Sequence, residues 1–260
     1  MNDDEIERYA RHLVLKEIGG PGQQRLRAAS IVIIGAGGLG GPAALYLAAA
    51  GIGTITLIDH DTISLDNLQR QIQFTTRDVG QPKAEIAGAA LSKLNPLVTV
   101  RAVPAELTTG NAGAVLAGAN VVLDGCDNFE TRFIVNRACH ELGIPLVSGA
   151  LGRWTGQVGV FASGHTQTGT APCYQCFVPA IPPDAETCER VGVVGALTGI
   201  IGSMMALETI KWITGAGDPL VGRLWIHDGL SGESRTLKLP KDPACPVCGI
   251  QDTKQFGERG

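Results

Sequence analysis

Four cysteines in two pairs, Cys173-Tyr-Gln-Cys176 and Cys245-Pro-Val-Cys248, carry a sharp chemical signal. Two Cys-x-x-Cys knuckles supply four thiolates, a complete donor set for tetrahedral zinc with no coordination position left open. Such a zinc is structural. Because the pairs lie far apart in the chain, the fold must bring them together, clamping the C-terminal tail to the body of the domain. A second set consists of glycines and an acid. Gly35-Ala-Gly37-Gly38-Leu-Gly40 follows a β-branched run, and Asp59 ends the next one. Glycines there permit a tight turn and close approach of phosphate to a helix N-terminus, and an acid at that distance can hydrogen-bond a ribose hydroxyl. Taken alone, this unit fits a nicotinamide or flavin oxidoreductase better than an enzyme that uses ATP.

A third set is charged. Arg11, Arg70 and Lys83 fall where they could converge on the edge of a sheet. Lys83 directly follows Pro82 at the start of a helical pattern, where a cation opposes the helix dipole, so an anion nearby would resolve the conflict. Asp127 and Asn128 follow the strand ending at Asp124, and an acid beside phosphates suggests magnesium. Cys188 stands on a proline-rich polar stretch, residues 179–190, that offers little to bury and is expected to be mobile. Glu186 and Glu189 oppose ionisation of its thiol and Arg190 favours it, so local sequence leaves its reactivity open. Cys126 and Cys139 are expected to be small buried residues.

The elements that must position these groups are legible in the hydrophobic pattern. Apolar residues at helical spacing predict an N-terminal helix over Asp3 to Ile18, ended by Gly19-Gly-Pro-Gly. Strand, helix and strand follow over 31–34, 42–50 and 54–58. A second cycle runs through a helix at 82–94, a strand at 98–103, a helix after Asn111 and a strand at 121–123. This alternation predicts a doubly wound, mostly parallel α/β sheet of Rossmann-like type. Past Leu146 the pattern changes to an antiparallel extension, with strands at 156–162, 224–227 and 235–239. The whole chain reads as one domain, with a nucleotide-binding part over about 1–150 and a partner-binding and zinc part over about 151–260. Residues 191–207 are uncharged but shorter than the ~20 residues of a membrane span, and predict a loop leading into a buried helix. A helix without a polar face must be covered on every side, which suits a homodimer interface.

Composition removes several classes of function. A net charge of -4 leaves no electrostatic footprint for nucleic acid. The acidic start Met1-Asn-Asp-Asp-Glu lacks the layout of a signal peptide, so a cytoplasmic chain without membrane association is expected, with thiols rather than disulfides.

Taken together and in order, Arg8-Tyr-Ala-Arg11, the glycine loop, the Asp59-to-Gln71 block, Gly80-Gln-Pro-Lys83, Asp124-Gly-Cys-Asp127-Asn128 and the two cysteine pairs make the chain resemble the ubiquitin-activating superfamily. Its MoeB, ThiF and HesA type of adenylyltransferase is the branch it is most similar to. The resemblance implies ATP-dependent adenylylation of the C-terminal glycine carboxylate of a ubiquitin-like sulfur-carrier protein ending in Gly-Gly, with release of pyrophosphate. The carrier would be the small subunit of molybdopterin synthase or the carrier of thiamine biosynthesis. The resemblance also implies Asp59 as the ribose acid, and Gly38 and Asn67 as nucleotide contacts. It makes Arg70 and Lys83 phosphate cations, Asp127 the magnesium ligand, and Arg11 a residue that reaches the phosphates from the partner subunit. Some relatives use the thiol at the position of Cys188 covalently, as a thioester or mixed acyl-disulfide, and others do not. Two alternatives stand beside this: the oxidoreductase that the glycine loop and Asp59 alone would allow, and a non-catalytic subunit that binds ubiquitin-like proteins. Against the second, such a subunit has no physical need to keep Arg11, Arg70, Lys83 and Asp127.

Overall fold

β-Branched runs form the centre of the molecule because they are flanked by helices on both faces. In this computed structural model, which describes residues 1–165, 170–181 and 192–249, β1 (Ser30–Ile34), β2 (Thr54–Ile58), β3 (Thr99–Val103), β4 (Val121–Asp124) and β5 (Leu146–Gly152) are all parallel. After β5 the sheet continues antiparallel through β6 (Thr155–Phe161), β7 (Arg223–Asp228) and β8 (Glu233–Lys238). The strand order is β3-β2-β1-β4-β5-β6-β7-β8, so the chain reverses direction across the sheet between β1 and β4. At such a switch point two neighbouring loops diverge and leave a crevice at the C-terminal strand ends.

Alternation along β1 divides the core. Ile31 and Ile33 face the helix layer that includes α3 (Gly19–Ala28), α4 (Gly40–Ala49) and α9 (Gly195–Thr214), packing among Leu26, Leu47, Ile201 and Met205. Val32 and Ile34 face the other layer, with α6 (Ala112–Leu116), α7 (Phe129–Leu142) and α8 (Tyr174–Phe177), where they meet Leu116, Val135 and Tyr174. The remaining long helix, α5 (Lys83–Leu94), packs against β3 and α4.

Three expectations need correction. The N-terminal helix is not continuous over 3–18: it is broken into α1 (Asp3–Arg8) and α2 (Ala10–Leu13). Tyr9 sits between them, buried, with its hydroxyl accepting from Asn95 Nδ2 at 2.9 Å. Tertiary anchoring of one side chain overrides the helical spacing there. The Gly19-Gly-Pro-Gly run opens α3 instead of ending a helix, because proline is tolerated in a first turn, where its missing N–H has no partner to lose. The apolar helix is also longer than expected, at 20 residues from Gly195 to Thr214, and so reaches the length of a membrane span. It is nevertheless a core helix: it packs on α3, α4, β5 and β6, and it buries Glu208 completely, with Lys211 at 2.6 Å and the Leu220 N–H at 2.7 Å as partners.

Candidate functional site

The crevice at the β1/β4 switch point is a cavity of about 300 Å³ lined by residues from both parts of the chain. The glycine loop leaves β1 at Gly35 and enters α4 at Gly40. A Cβ at Gly40 would overlap the Gly35 carbonyl oxygen, so the turn closes only around glycine. Asp59, just past β2, accepts from Ala36 N at 2.7 Å and Asp61 N at 2.9 Å. Its carboxylate therefore ties the glycine loop to β2 before any ligand arrives. Burial raises its pKa above the ordinary aspartate value, with the two backbone N–H groups opposing that shift.

Lys83 sits at the first residue of α5, only 7 % exposed, and the anion that its position called for is Asp61. Lys83 Nζ donates to Asp61 Oδ2 at 2.9 Å, and the Lys83 N–H donates to the Asp61 carbonyl at 2.9 Å. The side chain of Asp61 is 54 % exposed, so the partner of a buried ammonium is held at the water interface. Arg70 follows a one-turn 3₁₀ helix, Leu65–Asn67, and its backbone is gripped by α9: Thr198 Oγ1 donates to the Arg70 carbonyl at 3.2 Å. A Cβ on Gly38 would lie 3.1 Å from the Thr198 methyl group and 3.6 Å from the Arg70 side chain, so glycine lets loop, cation and helix pack in one layer.

On the β4 side, Asp127 is exposed at the cavity wall, and Arg132 of α7, buried, lines the same cavity. The Arg132 guanidinium pairs with Asp124, itself fully buried, at 2.9 Å. Cys126 lies beside them. Burial, with the Asp124 charge, holds its thiol well above the usual range, so it is inert packing, as is Cys139.

Of the residues singled out in the sequence, Gly35, Gly37, Gly38, Asp59, Arg70, Lys83 and Asp127 line this one cavity. Gly40 does not line it and serves the turn. Asn67 is buried and its amide oxygen closes the 3₁₀ turn on Ser64 N at 3.4 Å. Asn128 is the N-cap of α7, accepting from Thr131 N at 2.8 Å, so that acceptor is already in use. Arg11 is exposed on α2 and is not among the residues lining its own chain's cavity. Cys188 lies outside the described residues. Sequence reasoning missed Asp61 and Arg132. Asp61 had a signal, as an acid two residues past Asp59; Arg132 had only its place on the helix after Asp127.

The second constellation forms at the far side of α7. Sγ atoms of Cys173, Cys176, Cys245 and Cys248 all lie within 4.8 Å of one another, with Cys173 to Cys245 at 3.5 Å and Cys176 to Cys248 at 3.3 Å. A disulfide needs about 2.05 Å, so these are thiols. Tetrahedral thiolates at about 2.3 Å from zinc stand about 3.8 Å apart, within the observed spread. Burial pushes the Cys173, Cys176 and Cys248 thiols up to about 11, while at Cys245 burial is outweighed by the Cys248 and Val247 N–H groups and its thiol is lowered, so most of these sulfurs ionise at neutral pH only with a cation among them. The donor set fits a four-coordinate metal.

A glycine loop at a sheet switch point, a carboxylate after β2, and cations with an acid around one cavity define a nucleotide-binding α/β protein that carries a four-cysteine cluster. The chain belongs to the ThiF family, whose sequence profile matches residues 9–247. It is 44% identical over 254 residues to a sulfur carrier protein adenylyltransferase of Thermus thermophilus, covering 97% of this chain and 94% of that protein. It is 41% identical over 249 residues to the molybdopterin-synthase adenylyltransferase of Escherichia coli, covering 96% and 98% respectively. The adenylyltransferase and sulfurtransferase MOCS3 of Anopheles gambiae is 45% identical, with 57% of its length covered. Among solved structures, E. coli MccB with MccA-N7isoASN has a TM-score of 0.81 at 23% identity, covering 94% of this chain and 75% of that one, a likeness of fold.

Proposed function

We propose that this protein adenylylates the C-terminal glycine carboxylate of a ubiquitin-like sulfur-carrier protein, consuming ATP and releasing pyrophosphate. The observation that carries this reading is the meeting of Arg70, Lys83 and Asp127 with the glycine loop in one cavity at the switch point. A peptide α-carboxylate has an ordinary pKa of about 3.3 to 3.7 and is ionised at neutral pH, so it attacks the α-phosphorus without a general base. What opposes the reaction is charge. Two like charges 4 Å apart cost on the order of 4 kcal/mol at an effective dielectric near 20, and triphosphate carries several.

The cavity answers with cations whose present partners can be exchanged. Lys83 is held by the half-exposed carboxylate of Asp61, which water can solvate once the ammonium turns to phosphate. Arg70 spends one N–H on the Asp66 carbonyl at 3.1 Å and has further donors for a phosphate. Asp59 accepts a ribose hydroxyl with lone pairs left over from its two backbone bonds. Asp127 is the residue that would hold magnesium, as a single carboxylate does alongside phosphate oxygens. Bound there, the ion would neutralise charge on the triphosphate and on departing pyrophosphate. The four cysteines would hold a structural zinc.

Arg11 acts in the cavity of a partner copy in this reading. An exposed apolar groove of about 930 Å³, lined among others by Tyr46, Ile72, Ile200 and Leu207, supports a homodimer, since a patch of that kind is costly to leave in water. The carrier is that of molybdopterin or thiamine synthesis, and Cys188 is a candidate for a covalent link to it. The experiment is ATP–pyrophosphate exchange with an intact carrier. Exchange that needs both carrier and magnesium supports the assignment; none with either carrier, or tight NADH binding without ATP binding, overturns it.

A further inference from the structure

Arg132 has far more engagement than charge balance requires. One of its terminal nitrogens donates to Asp124 Oδ2 at 2.9 Å and Ser148 Oγ at 2.9 Å. The other donates to the Gly149 carbonyl at 2.8 Å and to the Cys126 carbonyl. Ser148 Oγ in turn donates a hydrogen bond to Asp124 Oδ2 at 2.8 Å, and Asp124 Oδ1 accepts the Cys126 N–H at 3.0 Å. The Cys126 residue is therefore held on both sides, its N–H by Asp124 and its carbonyl by Arg132. That carbonyl belongs to the peptide unit whose far end is the Asp127 Cα, and a peptide unit is rigidly planar. Fixing the Cys126 oxygen fixes the point from which the Asp127 carboxylate departs. A lysine would satisfy Asp124 equally well; only a planar fork reaches the carbonyls of two segments at once.

The other face of this guanidinium meets Tyr174, whose ring centroid lies 5.9 Å from Arg132 Cζ. Tyr174 is the residue after Cys173 in the first cysteine pair. Its N–H donates to Asn136 Oδ1 at 2.7 Å, and Asn136 stands one turn beyond Arg132 on the same face of α7. The first cysteine pair is thus fastened to α7 at two points, and one of them is the residue that holds the Cys126 carbonyl.

We infer that Arg132 is the positioning residue for Asp127, and that Tyr174 extends this brace to the cysteine cluster, so that the state of the cluster is felt where magnesium and phosphate would bind. This rests on the proposed role of Asp127. It gives the cluster a second role beside clamping the tail: it supports the acid as well.

The test is calorimetric titration of ATP into the zinc-loaded protein, without magnesium and over a range of magnesium chloride in chelator-free buffer, for wild type, Arg132→Lys, Tyr174→Leu and Asp127→Ala. Loss of an outer-shell partner typically weakens a metal site about 10- to 100-fold, so Arg132→Lys should raise half-saturating magnesium by about that factor, with magnesium-free ATP affinity within about twofold of wild type. Tyr174→Leu should shift it in the same direction by less. Arg132→Lys should add nothing in an Asp127→Ala background, since it acts through that residue. Circular dichroism and a thermal melt establish folding, and should Arg132→Lys not fold, Tyr174→Leu decides by the same readout. A folded variant with unchanged magnesium dependence, or with ATP affinity lost equally without magnesium, overturns the inference. Wild type that binds no ATP at all overturns the function instead.

Discussion

Two ion pairs flank the cavity, and they are built oppositely. Lys83 and Asp61, beside β2, join a buried ammonium to a carboxylate that is 54 % exposed. Arg132 and Asp124, beside β4, are both buried, with side chains 6 % and 0 % exposed. A pair with one member in water gives up its partner at low cost, because solvent replaces what is lost. A fully buried pair cannot be separated without leaving a charge uncompensated. The first arrangement suits a cation that must change partners when a ligand enters, the second a scaffold that must not move.

That contrast can be broken or sharpened by substitution. Arg132→Met removes one member of the buried pair and should destabilise the protein by about 3–5 kcal/mol, measured by urea unfolding. An effect under about 1 kcal/mol would show that the β4 side is no more rigid than the β2 side. Lys83→Ala should do the reverse: folding nearly unchanged, but ATP–pyrophosphate exchange reduced by about 10²–10³-fold, the usual loss when one stabilising donor is removed. Activity within tenfold of wild type would place the phosphate elsewhere. Extraction of metal from the cysteine cluster should lower Tm by several degrees, since each kcal/mol is worth about 2–4 °C at this chain length. A melt indifferent to a strong chelator would count against a structural metal.

Smaller effects follow from the exchangeable pair itself. Asp61→Asn frees Lys83 from its competitor, and because such pairs contribute about 0–1 kcal/mol, ATP should bind no more than about fivefold tighter. Weaker binding would mean that Asp61 supports the ligand and does not compete with it. Asp59 gives the smallest change. Its folded pKa is raised by burial, so its stabilising contribution is complete below the ordinary value of about 3.9 and is lost as pH climbs through the raised one. Relative to Asp59→Asn, the empty wild type should lose stability from roughly pH 4 upward, as unfolding midpoints would record.

The parallel half of the molecule was largely legible because its central strands β1, β2 and β4 are short apolar runs, rich in β-branched residues and largely buried. The glycine loop, Asp59, Arg70, Lys83 and Asp127 were legible for a related reason: they lie in or close the connections that leave the C-terminal ends of those strands, and a parallel sheet puts all such ends at one edge. Helix ends near the N-terminus were not, since Tyr9 docks on Asn95 across 86 residues of chain and breaks a pattern that is locally continuous. Asn67 and Asn128 have their amide oxygens engaged by nearby backbone, a local use of asparagine that spacing alone does not separate from ligand contact.

From residue types and order alone, the sequence determined the fold class, the sheet edge that carries the cavity and the four thiols, because these depend on local periodicity and on the few residues able to do each job. Which charge answers which was decided only in three dimensions. Asp61 reaches Lys83 across 22 residues, Arg132 reaches the Gly149 carbonyl across 17, and Cys173 meets Cys245 across 72. Electrostatic and thiol contacts act over a few ångströms, and the distance between two residues along the chain says little about that distance until the crossovers have been folded.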